Sequence, residues 1–289
     1  MERTKEIMPR PFKSEKVIEE KISESTLRGY HVGFEANKFR LQPLVDVICR
    51  VIPEFALGYY EGNNIPLSDI ADKLREAALT VYDTNKYGKR GEFGELILHL
   101  LLRDFCNTIP LISKIYFKDT INATVHGFDG VHSTDINGTK KLWLGESKLY
   151  TNGETGVKSL VNDLKTHIKA DYLRKEFLLI SRKLPHDNPD IEYWRNFLHK
   201  HTTLETIYNG ICIPMLCTYS SNIFNSHSNV TQQYLDDFIS ECSALKDHFD
   251  LEAGKVKTDI DVILMLLPVP CKDELVRELD KRLRAMQNI

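Results

Sequence analysis

No C-x-x-C pair occurs in this sequence, and its six cysteines (Cys49, Cys106, Cys212, Cys217, Cys242 and Cys271) are scattered along it. That spacing excludes the common structural zinc motifs and a disulfide framework, so the cysteines read as reduced, mostly buried thiols of a cytoplasmic protein. Long apolar runs are missing too. Nothing is long enough to span a bilayer, and the opening residues Glu2, Arg3, Lys5 and Glu6 are unlike a signal-peptide core, so no membrane association is expected. There is no G-x-x-x-x-G-K-[ST], which excludes ATP hydrolysis through a P-loop, and no G-x-G-x-x-G to bind a dinucleotide. A G-x-S-x-G nucleophile elbow is also absent. The net charge of −3 excludes a protein that coats nucleic acid through its overall charge.

What is present is an ordinary globular composition: 289 residues, 42% of them hydrophobic, enough for one large domain or two small ones. The charge is unevenly distributed. From Lys140 to Lys183 there are ten Lys or Arg against five Asp or Glu, a local excess of +5. It includes Lys158, Lys165, Lys169, Arg174, Lys175, Arg182 and Lys183, a set suited to phosphate contacts, although lysines on a helix face are often only solvated.

Periodicity predicts an α/β fold. The first thirty or so residues are charge-rich and weakly patterned, a candidate for mobility or for a partner surface. Leu44, Val45, Val47, Ile48, Val51 and Ile52 give a helical stripe, as do Ile70, Leu74, Ala77, Ala78 and Val81. The expected division is therefore a helical N-terminal portion over 1–85, a possible partner surface, and a second domain over 86–289, with a boundary at the polar stretch Asn85 to Gly91. An amphipathic helix is expected from Glu92 to Phe105, with Glu92, Glu95 and His99 off its apolar stripe. Strand-like segments follow near Lys114–Phe117, Thr124–Val131 and Lys141–Leu149. A helix is expected from Val157 to about Arg174, then a buried strand over Phe177–Ile180. Strand, helix and strand in that order imply a right-handed crossover and a mixed central sheet flanked by helices. Ile211–Leu216 and Val262–Leu267 extend the sheet, Pro185–Asn229 is partly irregular, and Asp273–Met286 forms a final helix with an apolar stripe.

The most informative feature lies between two of these strands. Asn137-Gly138 favours a two-residue type I′ hairpin, because both turn positions need positive φ. If Ile136 pairs with Thr139 and no bulge intervenes, Glu146 falls opposite Asp129, and Lys148 lies two residues along on the same face. Two carboxylates meeting there would repel, and a divalent cation such as Mg²⁺ or Mn²⁺ would remove the conflict, completed by water and a phosphate. Lys148 would then position the attacking water or neutralise the phosphate. Glu95, a third carboxylate arriving from a helix, would complete the metal environment or orient water; its alternative role is an exposed glutamate favoured by the helix macrodipole. The plain alternative for Glu146 and Lys148 is a solvated surface hairpin with Asp129 in a turn. Against it, Leu142, Trp143 and Leu144 run apolar on both faces, as in an interior strand. His126 and His132 have the parity opposite to Asp129 and are expected to be partly exposed on the other face.

Asp129 followed by Glu146-Ser147-Lys148 on the next strand, with Glu95 on a preceding helix, resembles the PD-(D/E)xK nuclease superfamily, with Phe128 where the family name has proline. A longer set of segments is similar to the HamA family, the nuclease subunits of the Hachiman antiphage system: Gly91-Glu92-Phe93-Gly94-Glu95-Leu96, Gly127-Phe128-Asp129-Gly130 and Leu144-Gly145-Glu146-Ser147-Lys148-Leu149. The resemblance covers the chain from roughly Tyr30 to its last helix. It implies a restriction-endonuclease-like core and a bacterial cytoplasmic effector that cuts DNA with Mg²⁺ or a similar ion, under the control of a superfamily 2 helicase, HamB. Carried over by position, it makes Asp129 and Glu146 metal ligands, Lys148 the catalytic lysine and Glu95 an auxiliary acidic residue. The competing reading is a non-catalytic DNA- or helicase-binding subunit that keeps the nuclease-like fold.

Overall fold

The computed structural model describes residues 14–81, 91–113, 127–184, 188–254 and 260–289. A seven-stranded mixed sheet lies at the centre, in the order β1-β2-β9-β8-β7-β6-β5. Its strands are β1 (Glu19–Ser23), β2 (Leu27–His31), β5 (Ile109–Ser113), β6 (Gly130–Ile136), β7 (Thr139–Tyr150), β8 (Ile211–Ser220) and β9 (Asp261–Val269), while β3 (Phe34–Glu35) and β4 (Lys38–Phe39) form a separate small hairpin. β7, β8 and β9 run parallel to one another, and β2 joins β9 in the same direction. Nine residues of β8 in succession, Ile211 to Tyr219, are buried, as a parallel strand covered on both faces requires.

Alternation along these strands sorts the core into two layers. Cys212, Leu216, Met265 and Leu267 face one layer, built with α1 (Leu41–Arg50), α2 (Ile52–Leu57), α4 (Ile70–Val81), α5 (Glu92–Phe105) and α12 (Lys272–Gln287). Ile213, Met215, Cys217, Leu264 and Leu266 face the other, built with α6 (Gly153–His167), α7 (Ala170–Lys183), α8 (Ile191–Phe197), α9 (Leu204–Asn209) and α11 (Gln232–Ala253). The remaining short helices are α3 (Tyr59–Gly62) and α10 (Ile223–Ser226). The expected α/β architecture with helices on both faces of a mixed sheet is the one observed.

Several expectations need correction. The N-terminal segment carries two strands: β1 forms one edge of the sheet, β2 pairs with both β1 and β9, and Ile18 and Tyr30 are fully buried. The helix α5 is present with the expected bounds but has no exposed polar face: every residue from Glu92 to Asp104 is buried. It is sandwiched between the sheet and the helices α1 and α2, which leaves no solvent face for its polar residues. Arg103 pairs there with Glu54 at 3.0 Å and Asp104 at 3.4 Å, and Asp104 accepts the Ser14 amide at 2.7 Å. Phe177–Ile180 is helical, not a strand; Leu173, Phe177 and Ile180 are buried at helical spacing while Leu178 and Leu179 are exposed. The helix expected from Val157 to Arg174 is two helices, broken where Lys169 takes an extended conformation to start α7. His132 is buried rather than partly exposed, with Nε2 3.2 Å from His99 Nδ1 and Nδ1 2.7 Å from Thr108 Oγ1. His126, the Lys114–Phe117 strand, the start of Thr124–Val131 and most of Asn85–Gly91 lie outside the described residues.

One core layer unites Ile18, Tyr30, Leu44 and Ala77 with Met265, Leu275 and Leu279. Cutting the chain between the two expected units would expose that layer and strip the partners from Arg103 and Asp104, so neither fragment is expected to fold alone. Each fragment is expected to lack a cooperative thermal transition that the full chain shows; a cooperative melt for either fragment contradicts this packing.

Candidate functional site

The hairpin between β6 and β7 sets the register of everything that follows. Asn137 and Gly138 take φ of 53° and 82°, and the ladder runs without a shift from Ile136–Thr139 to Gly130–Gly145. One step further on, the Asp129 amide donates to the Gly145 carbonyl at 2.8 Å. β6 has ended by then, so Ser147 on β7 has no strand carbonyl opposite it. The Asp129 carboxylate takes that place: its Oδ2 accepts from the Ser147 amide and from the Ser147 hydroxyl, both at 2.8 Å. Asp129 is buried, held by the approach of Gly127, whose φ of +136° suits glycine and whose missing Cβ would lie 2.8 Å from the Glu176 carboxylate of α7.

Successive residues of β7 face opposite layers. Gly145, Ser147 and Leu149 face α5: a Cβ on Gly94 of α5 would lie 3.0 Å from Ser147 Oγ, and one on Gly145 only 2.7 Å from Leu98. Glu146 and Lys148 face α6. Lys148 Nζ donates to Glu146 Oε1 at 2.9 Å and reaches Asp163 Oδ2 at 2.6 Å. On the other side of Glu146, His167 Nδ1 lies 3.8 Å from Oε2, beyond hydrogen-bond reach. Stacking on Tyr172, with ring centroids 4.6 Å apart, and an edge contact with Phe128 at 4.7 Å fix the His167 ring.

The four residues singled out in the sequence thus occupy one stretch of the fold by different routes. Glu146 and Lys148 touch directly, and Asp129 is joined to the residue between them. Glu95 is buried in the first turn of α5, whose Gly94 packs on Ser147, so it enters from the opposite face of the sheet from Glu146. An exposed role for Glu95 is therefore ruled out. Asp163, His167 and Glu176 were missed. Asp163 and His167 are four residues apart on a helix that follows the strand, a spacing that places both on one side. Glu176 was concealed by reading the segment beside it as a strand.

Burial opposes the Lys148 ammonium, but the charge of Glu146 and the bonds to Asp163 and Glu146 outweigh it, so its pKa is raised. It is a cation throughout the neutral range. Among the described residues no three of His, Cys, Asp and Glu are grouped to form a cage for a metal ion. A divalent cation here would therefore be held by at most two carboxylates, with water and a substrate phosphate completing its shell as Mg²⁺ commonly requires. No described helix is long and apolar enough to cross a membrane.

Compared with known protein families, the chain matches over residues 9–283 the family described as HamA. No curated protein matches it.

Two outcomes follow from the geometry. Lys148→Met leaves Glu146 and Asp163 facing each other and is expected to cost about 1–3 kcal/mol, less than a fully buried pair because Lys148 is partly exposed. Since folding raises the Lys148 pKa, its contribution is complete below the unfolded value of about 10.4 and is lost as pH rises through the folded value. The difference in stability between native and variant is thus constant from pH 7 to 9 and shrinks above about 10.4. A difference that grows with pH in thermal melts contradicts the pairing. Gly127→Ala, forced into a backbone region that L residues avoid, is expected to lose about 1–3 kcal/mol in the same assay, and a neutral result contradicts the strain at that position.

Proposed function

The chain belongs to the HamA family, a component of the Hachiman antiphage defence system, and from that premise we propose that it is a metal-dependent DNA endonuclease controlled by a helicase partner. What supports the reading is one arrangement: a hairpin in fixed register that bonds Asp129 to Ser147 and sets the buried Glu146 against the partly exposed Lys148. In this reading Asp129 and Glu146 hold Mg²⁺ or Mn²⁺, and Glu95 is the auxiliary acid. When bound, such an ion polarises the phosphate and lowers the pKa of a water.

The remaining work falls to the chain's own groups. Lys148, charged at neutral pH, is suited to stabilising negative charge that develops on the phosphate and not to abstracting a proton in its resting state. Ser147 fixes the orientation of the Asp129 carboxylate through two hydrogen bonds to its Oδ2. The exposed faces of α6 and α7 carry Lys158, Lys165, Lys169, Arg174, Lys175, Arg182 and Lys183. Part of this charge is already used, since Lys158 pairs with Glu252 at 3.3 Å and Lys165 donates to the Glu252 carbonyl. Lys169, Lys175, Arg182 and Lys183 are the better candidates for contacts with a DNA backbone. In this reading the superfamily 2 helicase HamB is the partner and the bacterial cytoplasm the compartment. This chain has no P-loop of its own, so strand separation and triggering must come from the partner.

The test is plasmid cleavage by the full chain, co-expressed with the helicase and supplied with ATP. Native protein is expected to cut in Mg²⁺ and not in EDTA, and folded Glu146→Ala to lose at least about a hundredfold in rate. Undiminished cutting by that variant removes the chemistry from this site. Failure of the native complex to cut any DNA form favours a binding subunit instead.

A further inference from the structure

α6 leaves β7 through a tight connection and runs back along it. Asn152 caps its start, accepting the Thr155 amide at 2.8 Å, and Gly153 and Gly156 let the helix sit close on the sheet, where a Cβ on Gly156 would lie 2.5 Å from Cys217 Sγ. Val157, Leu160, Val161 and Leu164 are buried beneath it. The helix is antiparallel to the strand, and the two rises match: four helical residues advance about 6 Å and two strand residues about 6.6 Å. Asp163 therefore reaches Lys148 (2.6 Å) while His167, one turn later, lies beside Glu146 (3.8 Å).

We propose that Asp163 is a positioning residue that holds Lys148 at the reacting phosphate. The inference rests on the nuclease reading above and deepens it. As the chain stands, Lys148 is shared between two carboxylates, Glu146 Oε1 at 2.9 Å and Asp163 Oδ2 at 2.6 Å. Glu146 is buried and belongs to the proposed metal site; the Asp163 side chain is 34% exposed, at the mouth of the site. A cation held by Glu146 would weaken its attraction for Lys148. Asp163 lies on a different element and is not among the proposed ligands, so its bond to the ammonium persists. Without Asp163 a four-carbon side chain, a fifth of it already exposed, swings toward solvent, which costs both its rotameric order and the alignment of its charge.

The test compares native protein, Asp163→Asn, Asp163→Glu and Glu146→Ala in the full chain with its helicase partner. Asp163→Asn is expected to cut DNA about ten- to a hundredfold more slowly, with unchanged DNA affinity in Ca²⁺ and unchanged melting temperature; Asp163→Glu recovers part of the rate. Independently of activity, reductive methylation at fixed pH, read by mass spectrometry, is expected to modify Lys148 severalfold faster in Asp163→Asn than in native protein. If Asp163→Asn matches native protein in rate and in Lys148 modification while Glu146→Ala is inactive, the positioning role is overturned and the nuclease reading stands. If native protein cuts no DNA, that reading fails, and equal Lys148 modification in the two proteins overturns the tether as well.

Discussion

Positive φ at Asn137 and Gly138 is the constraint from which the rest of the site descends. A two-residue turn permits one register, and a slip by a single residue would send Glu146 and Lys148 to the α5 face and Ser147 to the α6 face. In the register adopted, the ladder ends at Gly130 and Gly145, and the Asp129 side chain satisfies the Ser147 amide that the departing strand leaves behind. A structural need, an acceptor for a buried N–H, thus brings a carboxylate to the place where the proposed chemistry needs one. The neighbouring parallel strand β8 fixes the other edge, with Glu146 paired to Met215 and Lys148 to Cys217. The charged pair is therefore carried by a strand held by β8 on one side and by the Asp129–Ser147 bonds on the other.

Helices on the two faces then divide the labour. α5 is buried along its length and presents glycine to the sheet, which brings its backbone close to Ser147 and carries Glu95 into the interior. α6 presents Asp163 and His167 to Lys148 and Glu146, and α7 supplies Glu176 behind Gly127 and Tyr172 against His167. The site is assembled from elements separated by up to about eighty residues of chain, with Glu146, Lys148, Asp163 and His167 anchored in regular elements and Asp129 in the approach to β6. Such anchoring holds groups in place better than loops do.

Much of this was legible in the sequence where local chemistry decides the conformation. The Asn-Gly turn requires positive φ, so the hairpin and its register followed; the uninterrupted apolar runs of β8 and β9 mark strands covered on both faces. Legibility failed where tertiary burial overrides pattern. Phe177–Ile180 is a short apolar run, and such runs do not distinguish strand from helix; only the exposure of Leu178 and Leu179 does. Glu92, Glu95 and His99 lie off the apolar stripe of α5, yet they are buried with Arg103 and Asp104, whose partners Glu54 and Ser14 come from distant segments invisible to a local window. The same holds for His132 with His99, and for β2, whose His31 is buried against Tyr234 and whose strand partner β9 lies far along the chain. Asp163 and His167 were hidden for a different reason: their role depends on the match between helical and strand rise across a crossover, which needs the fold first.

The central claim is that Asp129 and Glu146, delivered to one end of the hairpin, form a site for a divalent cation. The most direct measurement is a Mn²⁺ titration of the full chain followed by electron paramagnetic resonance, with Asp129→Asn and Glu146→Gln variants of native stability alongside. The account predicts binding by the native protein that either substitution weakens by at least about tenfold, a loss of about 1.4 kcal/mol. Equal Mn²⁺ binding by all three proteins, or none by the native chain with DNA present, would contradict it.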